Sequence, residues 1–393
     1  MRDRTRLFLS GDVMLGRGID QILARPLDPT LHERYVTDAR RYVELAEQVN
    51  GPVPRPVEPS WPWGEGLAAL DRAAPDVRIL NLETSVTRSD HFAPGKAVHY
   101  RMSPANLDGL TVVRPDVCTL ANNHVLDLGR QGLAETIEVL ATAGLAITGA
   151  GRDLEAAWQP AIVGLDGGGH DRPDRQHRPD RQHRPDRQHG AEGRLLVFGV
   201  GATSSGIPAS WAATAERSGV ALLDGPLANQ AAVVLERIRD RRRDGDRVVV
   251  SVHWGSNWGY QVDDDQVAFA HALIDGGVDV VHGHSSHHPR PIEVYRDRLI
   301  LYGCGDLIND YEGIAGHEAY RPDLRLLYLV DLAPHTGRLI ALRMLPLQAD
   351  RLRLRSATAA DGGWLAATLE RSLRPAGQQI VRGPDGHLTL HVS

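Results

Sequence analysis

The chain reads as an α/β protein on three observations. Short apolar runs of strand length recur along it, and between them lie segments whose apolar residues repeat at helical spacing. Asp12, Glu83, the pair Asn123-His124, His253, and the pair His284 and His287 each fall just past the C-terminal end of such a run. In α/β folds those ends are where sites gather, so residues far apart in sequence converge there.

Composition bounds the answer. The 393 residues are 42% hydrophobic and 24% charged with a formal net charge of −6, an ordinary globular balance long enough for one large domain or two medium ones. Mild acidity argues against a nucleic-acid partner, whose binding proteins are usually basic. The opening Met1-Arg2-Asp3-Arg4-Thr5-Arg6 leads into Leu7-Phe8-Leu9, too brief for a signal-peptide core, and no later run approaches the roughly 18 apolar residues of a membrane span. The expectation is a cytoplasmic chain. Cys118 and Cys304 lie in or beside apolar runs, where free cysteine acts as a small hydrophobe, and they suggest no disulfide framework.

In order, Leu7 to Ser10 is a strand that delivers Gly11-Asp12, with the glycine permitting a tight turn at its exit. Residues 26 to 63, rich in Pro and Trp, read as a surface excursion before a helix near Glu65 to Ala74. Val77 to Leu80 is a second strand, ending at Asn81-Leu82-Glu83. Asp116 to Leu120 is a third, ending at Ala121-Asn122-Asn123-His124 and followed by a helix with Leu133, Ile137 and Leu140 on one face. Three copies of Arg-Pro-Asp-Arg-Gln-His then occupy 172–177, 178–183 and 184–189. Almost no apolar residue and a Pro in each copy predict a disordered insertion over 166–193, placed between neighbouring strands because Leu195 to Val200 resumes the fold. A helix from about Leu227 to Arg243 precedes Val248 to Val252 and His253-Trp254-Gly255. Another, Asp265 to Asp275, stops at Gly276-Gly277 and feeds Val278 to Val281, where His282-Gly283-His284-Ser285-Ser286-His287-His288 begins. Arg298 to Tyr302 ends at Gly303-Cys304-Gly305-Asp306. Beyond 320, Arg325 to Leu332 and Leu339 to Leu347 read as strands completing the second sheet, and Trp364 to Leu373 as a helix.

The residues at the strand ends comprise two carboxylates, one amide and several imidazoles, with no thiolate. Such mixed oxygen and nitrogen donors suit Zn, Mn or Fe, and they are too many for one four-coordinate ion. Two ions about 3.5–4 Å apart, bridged by a carboxylate, would use them, with a bridging hydroxide as nucleophile. Asn123 can offer a neutral amide oxygen, His124 of ordinary pKa can transfer a proton at neutral pH, and Asp127 can hold that imidazole in one tautomer.

The series Gly11-Asp12-Val13-Met14-Leu15-Gly16-Arg17, Asn81-Leu82-Glu83, Ala121-Asn122-Asn123-His124 with Asp127 and Gly129, His253-Trp254-Gly255, and Gly283-His284-Ser285-Ser286-His287 with Ile292-Glu293-Val294-Tyr295 resembles the CapA family. That family is associated with poly-γ-glutamate capsule synthesis and is similar in fold to the calcineurin-like metallophosphatases. The resemblance runs in order over roughly residues 6 to 310. It implies a four-layer sandwich, two packed mixed β-sheets flanked by helices, over residues 1–320, with 321–393 completing the domain. It implies two divalent ions at one edge. Asp12 and His287 would bind the first ion, Glu83 would bridge, and Asn123, His253 and His284 would bind the second, while His124, backed by Asp127, protonates a leaving group. Met14 stands where these phosphatases usually carry a His, Asn257 where the family usually has Glu, and Gly305-Asp306 where it usually has Gly-Asn. Three functions follow from the resemblance: a hydrolase of phosphoesters, a hydrolase or transferase on a γ-glutamyl amide, or a non-catalytic accessory protein that binds an anionic polymer. The expected substrate is a small or polymeric anion.

Overall fold

A computed structural model describes residues 3–165, 193–373 and 378–392. Alternate side chains of each central strand enter different cores, and this period-two partition sets the architecture. From Thr5–Val13, Leu7 and Leu9 join a central core while Phe8 joins an outer one. From Arg247–His253, Val249 points into the same central core while Val248, Val250 and Val252 enter a third. The central core therefore lies between two sheets, and each sheet carries helices on its other face. The outcome is the four-layer sandwich. Strands buried on both sides have no polar face to show, which is why they read as unbroken apolar runs.

The first sheet has, among the described residues, ten strands. Its spine places Thr5–Val13 parallel to Val77–Leu82, which is parallel in turn to Val117–Thr119 and Ala146–Thr148. The other edge of Thr5–Val13 pairs antiparallel with Leu324–Leu332, and Leu339–Ala349 follows. The C-terminal strands thus extend this sheet and not the second one, because the free edge of the first strand is what they pair with. The second sheet runs Arg194–Ala202, Arg247–His253, Val280–His284 and Arg298–Leu301, all parallel, with Ile292–Tyr295 antiparallel at its edge.

Helices follow the expected pattern with shifted ends: Gly64–Ala73, Gly129–Thr142, Asp264–Asp275 and Ala359–Ser372. The stretch read as one helix from Leu227 divides into a 3-10 turn, Leu227–Asn229, and a helix, Ala231–Arg239. The excursion over 26–63 contains a helix that the pattern hid, Arg40–Asn50, which buries only Tyr42, Val43 and Ala46 among charged neighbours. Ala161–Gly164 and Arg194–Ala202 are antiparallel partners, so the repeat segment does enter and leave between neighbouring strands. Its predicted disorder lies outside the described residues. Among the described residues no helix is long and apolar enough to cross a membrane.

Candidate metal centre

Parallel strands of both sheets end on the same side, and there Asp12, Glu83, His253, His284 and His287 come together, all buried. Asp12 is the penultimate residue of the strand Thr5–Val13, at a register irregularity. Gly11 before it serves close packing and not a turn: a Cβ there would stand 1.6 Å from the Gly305 carbonyl oxygen. That approach lets the Asp12 amide donate to the Gly305 carbonyl at 3.0 Å, and it makes Asp306 the parallel register partner of Asp12.

Asn81 braces the two carboxylates, its Nδ2 donating to Asp12 Oδ1 at 2.7 Å and to Glu83 Oε2 at 3.2 Å. Burial, followed by the nearby Asp306 charge, pushes the Asp12 carboxyl up to about 7. Glu83 is raised too, by burial first and then by Asp12. Buried carboxylates packed this closely oppose one another unless a cation shares them.

The imidazoles are oriented by a chain of hydrogen bonds that starts at a backbone carbonyl. Because the Ser10 carbonyl can only accept, His282 Nε2–H donates to it at 2.7 Å, and His282 Nδ1 then accepts the Ser251 hydroxyl at 3.0 Å. Ser251 Oγ, its proton committed, accepts from His284 Nε2–H at 2.9 Å, leaving His284 Nδ1 bare. His253 Nε2–H donates to the Asn123 amide oxygen at 3.1 Å, leaving its Nδ1 bare as well. The two bare nitrogens face each other at 2.8 Å, with Asp12 Oδ1 at 4.0 Å from one and Glu83 Oε2 at 3.9 Å from the other. Burial holds both rings far below the ordinary imidazole range, so both are neutral. Outer partners that fix a tautomer and aim a lone pair are what a metal-binding histidine requires. The donors fit a divalent cation: Asp12, His253 and His284 offer one set within 4.8 Å, and Asp12, His287 and Asp306 offer a second that shares Asp12.

The expected ligands thus meet, with one difference of detail: the Asn123 amide oxygen turns to His253. His124 donates from Nδ1 to Asp127 Oδ2 at 2.6 Å and presents Nε2 to Glu83 Oε1 at 3.8 Å. Its pKa is not ordinary. Burial outweighs the Asp127 charge and, with Lys96 adding, pushes the imidazole down to about 4. Sequence reasoning assigned nothing to Lys96, which meets the Asn123 carbonyl and the Asp127 carboxylate, or to the orienting pair His282 and Ser251. It noted Asp306 only as a variation. A glycine followed by a carboxylate at a strand end, the signal used for Asp12, was present there too.

Beside these donor groups a cavity of about 200 Å³ is lined by Lys96, Asn123, His124, Asn257, His287 and Tyr311. Asn257 Nδ2 lies 3.0 Å from His287 Nε2, and Trp258 stacks on His317 with ring centroids 3.8 Å apart, so this loop forms one wall.

Residues 6–170 and 176–311 match the family described as bacterial capsule synthesis protein PGA_cap. A Mycobacterium tuberculosis protein named a probable polyglutamine synthesis accessory protein is 51% identical over 99% of this chain and 96% of its own length. The capsule biosynthesis protein CapA of Bacillus anthracis is 21% identical over 78% of this chain and 60% of its own. A solved phosphatase structure from Mycoplasma pneumoniae covers 89% of this chain and 95% of its own at 11% identity, with a TM-score of 0.45. The chain belongs to the bacterial capsule synthesis protein family.

Proposed function

We propose that the protein is a metal-dependent hydrolase that opens a phosphoester at a centre holding two divalent ions. The observation that carries this reading is the pair of donor sets sharing Asp12 beside a cavity that includes a cation, Lys96, and an oriented imidazole, His124. Asp12, Glu83, His253, His284 and His287 would hold the ions, with Asn123 alongside. When bound, such ions supply Lewis-acid polarisation and a nucleophile at neutral pH. The chain itself orients and excludes water. Lys96 lines the cavity, and His124, aimed by Asp127 and neutral, takes the proton of the attacking water at its bare Nε2 and passes it to the departing oxygen. A cavity of about 200 Å³ takes the reacting end of a substrate, leaving the rest of a longer anion outside.

A second reading, attack on a γ-glutamyl amide, draws on the Mycobacterium tuberculosis relative, whose name ties it to polyglutamine synthesis. The same chemistry reaches either centre. Protein purified without chelator, analysed for metal and then screened on phosphoesters and γ-glutamyl peptides, decides between them. Turnover of one class, lost with chelator and restored by Mn²⁺ or Zn²⁺, is the expected result. Metal-loaded protein that hydrolyses neither but binds polyglutamate would replace both readings with an accessory role.

A further inference from the structure

Asp306 lies on a short strand, Asp306–Ile308, that runs parallel to the end of Thr5–Val13 with Asp12 and Asp306 in register. In-register neighbours on parallel strands stand side by side about 4.8 Å apart. Two carboxyls so placed, both buried, oppose ionisation of Asp12, and a shared cation relieves that opposition. His287 Nδ1 lies 2.9 Å from Asp306 Oδ1, and the three side chains bring ligand atoms within 4.8 Å of one another. The remaining oxygen, Oδ2, accepts from Asn309 Nδ2 at 2.5 Å, and Asn309 Oδ1 accepts from the buried Arg325 at 2.9 Å. The carboxylate is therefore aimed and held from behind, as a metal-binding carboxylate is. Met14, two residues beyond Asp12, offers only a soft thioether, so no further imidazole comes from that strand.

We propose that Asp306 is a metal ligand, and that with Asp12 and His287 it forms an oxygen-rich position for a hard divalent cation such as Mn²⁺. The adjoining position, built on His253 and His284, is the nitrogen-rich one and suits Zn²⁺. This rests on the two-ion reading above and adds to it which ion goes where. The competing role for Asp306 is purely orienting, as hydrogen-bond acceptor for His287.

Metal analysis separates them. Apoprotein given one equivalent each of Zn²⁺ and Mn²⁺ should retain about one of each. Asp306→Asn keeps an acceptor for His287 but loses the charge. It should retain Zn²⁺ while its Mn²⁺ affinity falls by more than the roughly 10–100-fold typical of losing an outer partner. His253→Ala should lose Zn²⁺ first. Asp306→Cys, smaller than the native side chain, should bind Cd²⁺ with a thiolate-to-metal charge-transfer band, which appears only if position 306 touches the ion. Asp306→Asn with unchanged Mn²⁺ affinity, or Asp306→Cys holding two Cd²⁺ without that band, would overturn the assignment while leaving the two-ion reading intact. Wild-type protein that retains neither ion overturns both. Melting curves on each variant show that it is folded when tested.

Discussion

The only lysine in the chain, Lys96, sets its ammonium against the Asp127 carboxylate, whose other oxygen accepts from His124 Nδ1 at 2.6 Å. The ammonium also lies 3.2 Å from that same ring nitrogen. Asp127 is thus shared between an amine and an imidazole. Sharing weakens what the carboxylate can do for a protonated ring, and the lysine charge opposes that proton directly.

Removing the lysine should therefore move the ring. In Lys96→Met, Asp127 no longer shares its charge with an ammonium and the nearby positive charge is gone, so both changes favour the imidazolium. Burial remains, and it is the larger cause of the downward shift to about 4. The His124 ring should titrate at higher pH in the metal-free variant than in the metal-free wild type, followed by its ring carbon–proton NMR signals. An unchanged or lower midpoint would mean that Lys96 does not tune this group.

Two kinds of damage separate proton transfer from metal holding. His124→Ala should keep its metal and its melting temperature while turnover falls by about 10²–10⁴-fold, the usual contribution of a positioned proton donor or acceptor. His284→Ala, by deleting a bare Nδ1 aimed by Ser251, should lose metal first and activity with it. Stoichiometric metal loss in the His124 variant, measured by elemental analysis, would reassign that residue to the ligand set.

Arg17 is a stability element close to the site. Its guanidinium is buried between the rings of Tyr42 and Tyr100, 3.7 and 4.3 Å from their centroids, and bonds Asp310 at 2.5 Å and Glu33 at 3.2 Å. Tyr100 carries the arrangement onward, its backbone N–H donating to Asp127 Oδ2 at 2.7 Å and its ring meeting that of His124 nearly at right angles. Arg17→Met leaves two buried carboxylates without their cation and should cost about 3–5 kcal/mol in denaturant unfolding. Arg17→Lys keeps the charge but not the planar fork, and should cost less. Equal losses in the two variants would show that shape, and not charge, decides this position.

Legibility followed the range of the interaction. Val248 to Val252 and Val278 to Val281 announced themselves because both faces are buried, and the histidines stood out because they begin where those runs stop. Their convergence followed from the habit of parallel strands to end on one side. Asp306 stands out less, since its Gly-Asp signal gains weight only from pairing in register with Asp12, which lies near the other end of the chain. Lys96 sits in a Pro-Gly loop whose partner, Asp127, is reached only through tertiary packing. The close approach of the Gly305 backbone is invisible in sequence, so the tight turn expected at Gly11 gives way to close packing. The helix Arg40–Asn50 was hidden by having only a narrow apolar face to bury.

The repeat segment should be dispensable for folding. Gly164 and Arg194 are paired across the two strands that flank it, and the Leu165 amide donates to the Gly193 carbonyl at 3.0 Å. The segment therefore leaves and rejoins the fold at adjacent points, and a short connection spans that gap as well as a long one. Deleting the three Arg-Pro-Asp-Arg-Gln-His copies at 172–189 shortens the closed loop about threefold, which by loop-closure entropy favours the folded state by roughly 1 kcal/mol at most. The flanking strands bury Ala161, Leu195 and Val197 in the central core, and none of these is touched by the deletion. The shortened chain should melt cooperatively, at or slightly above the wild-type midpoint, with unchanged metal content. Loss of the cooperative transition, or a fall of several kcal/mol in denaturant unfolding, would show that the copies make contacts on which the fold depends.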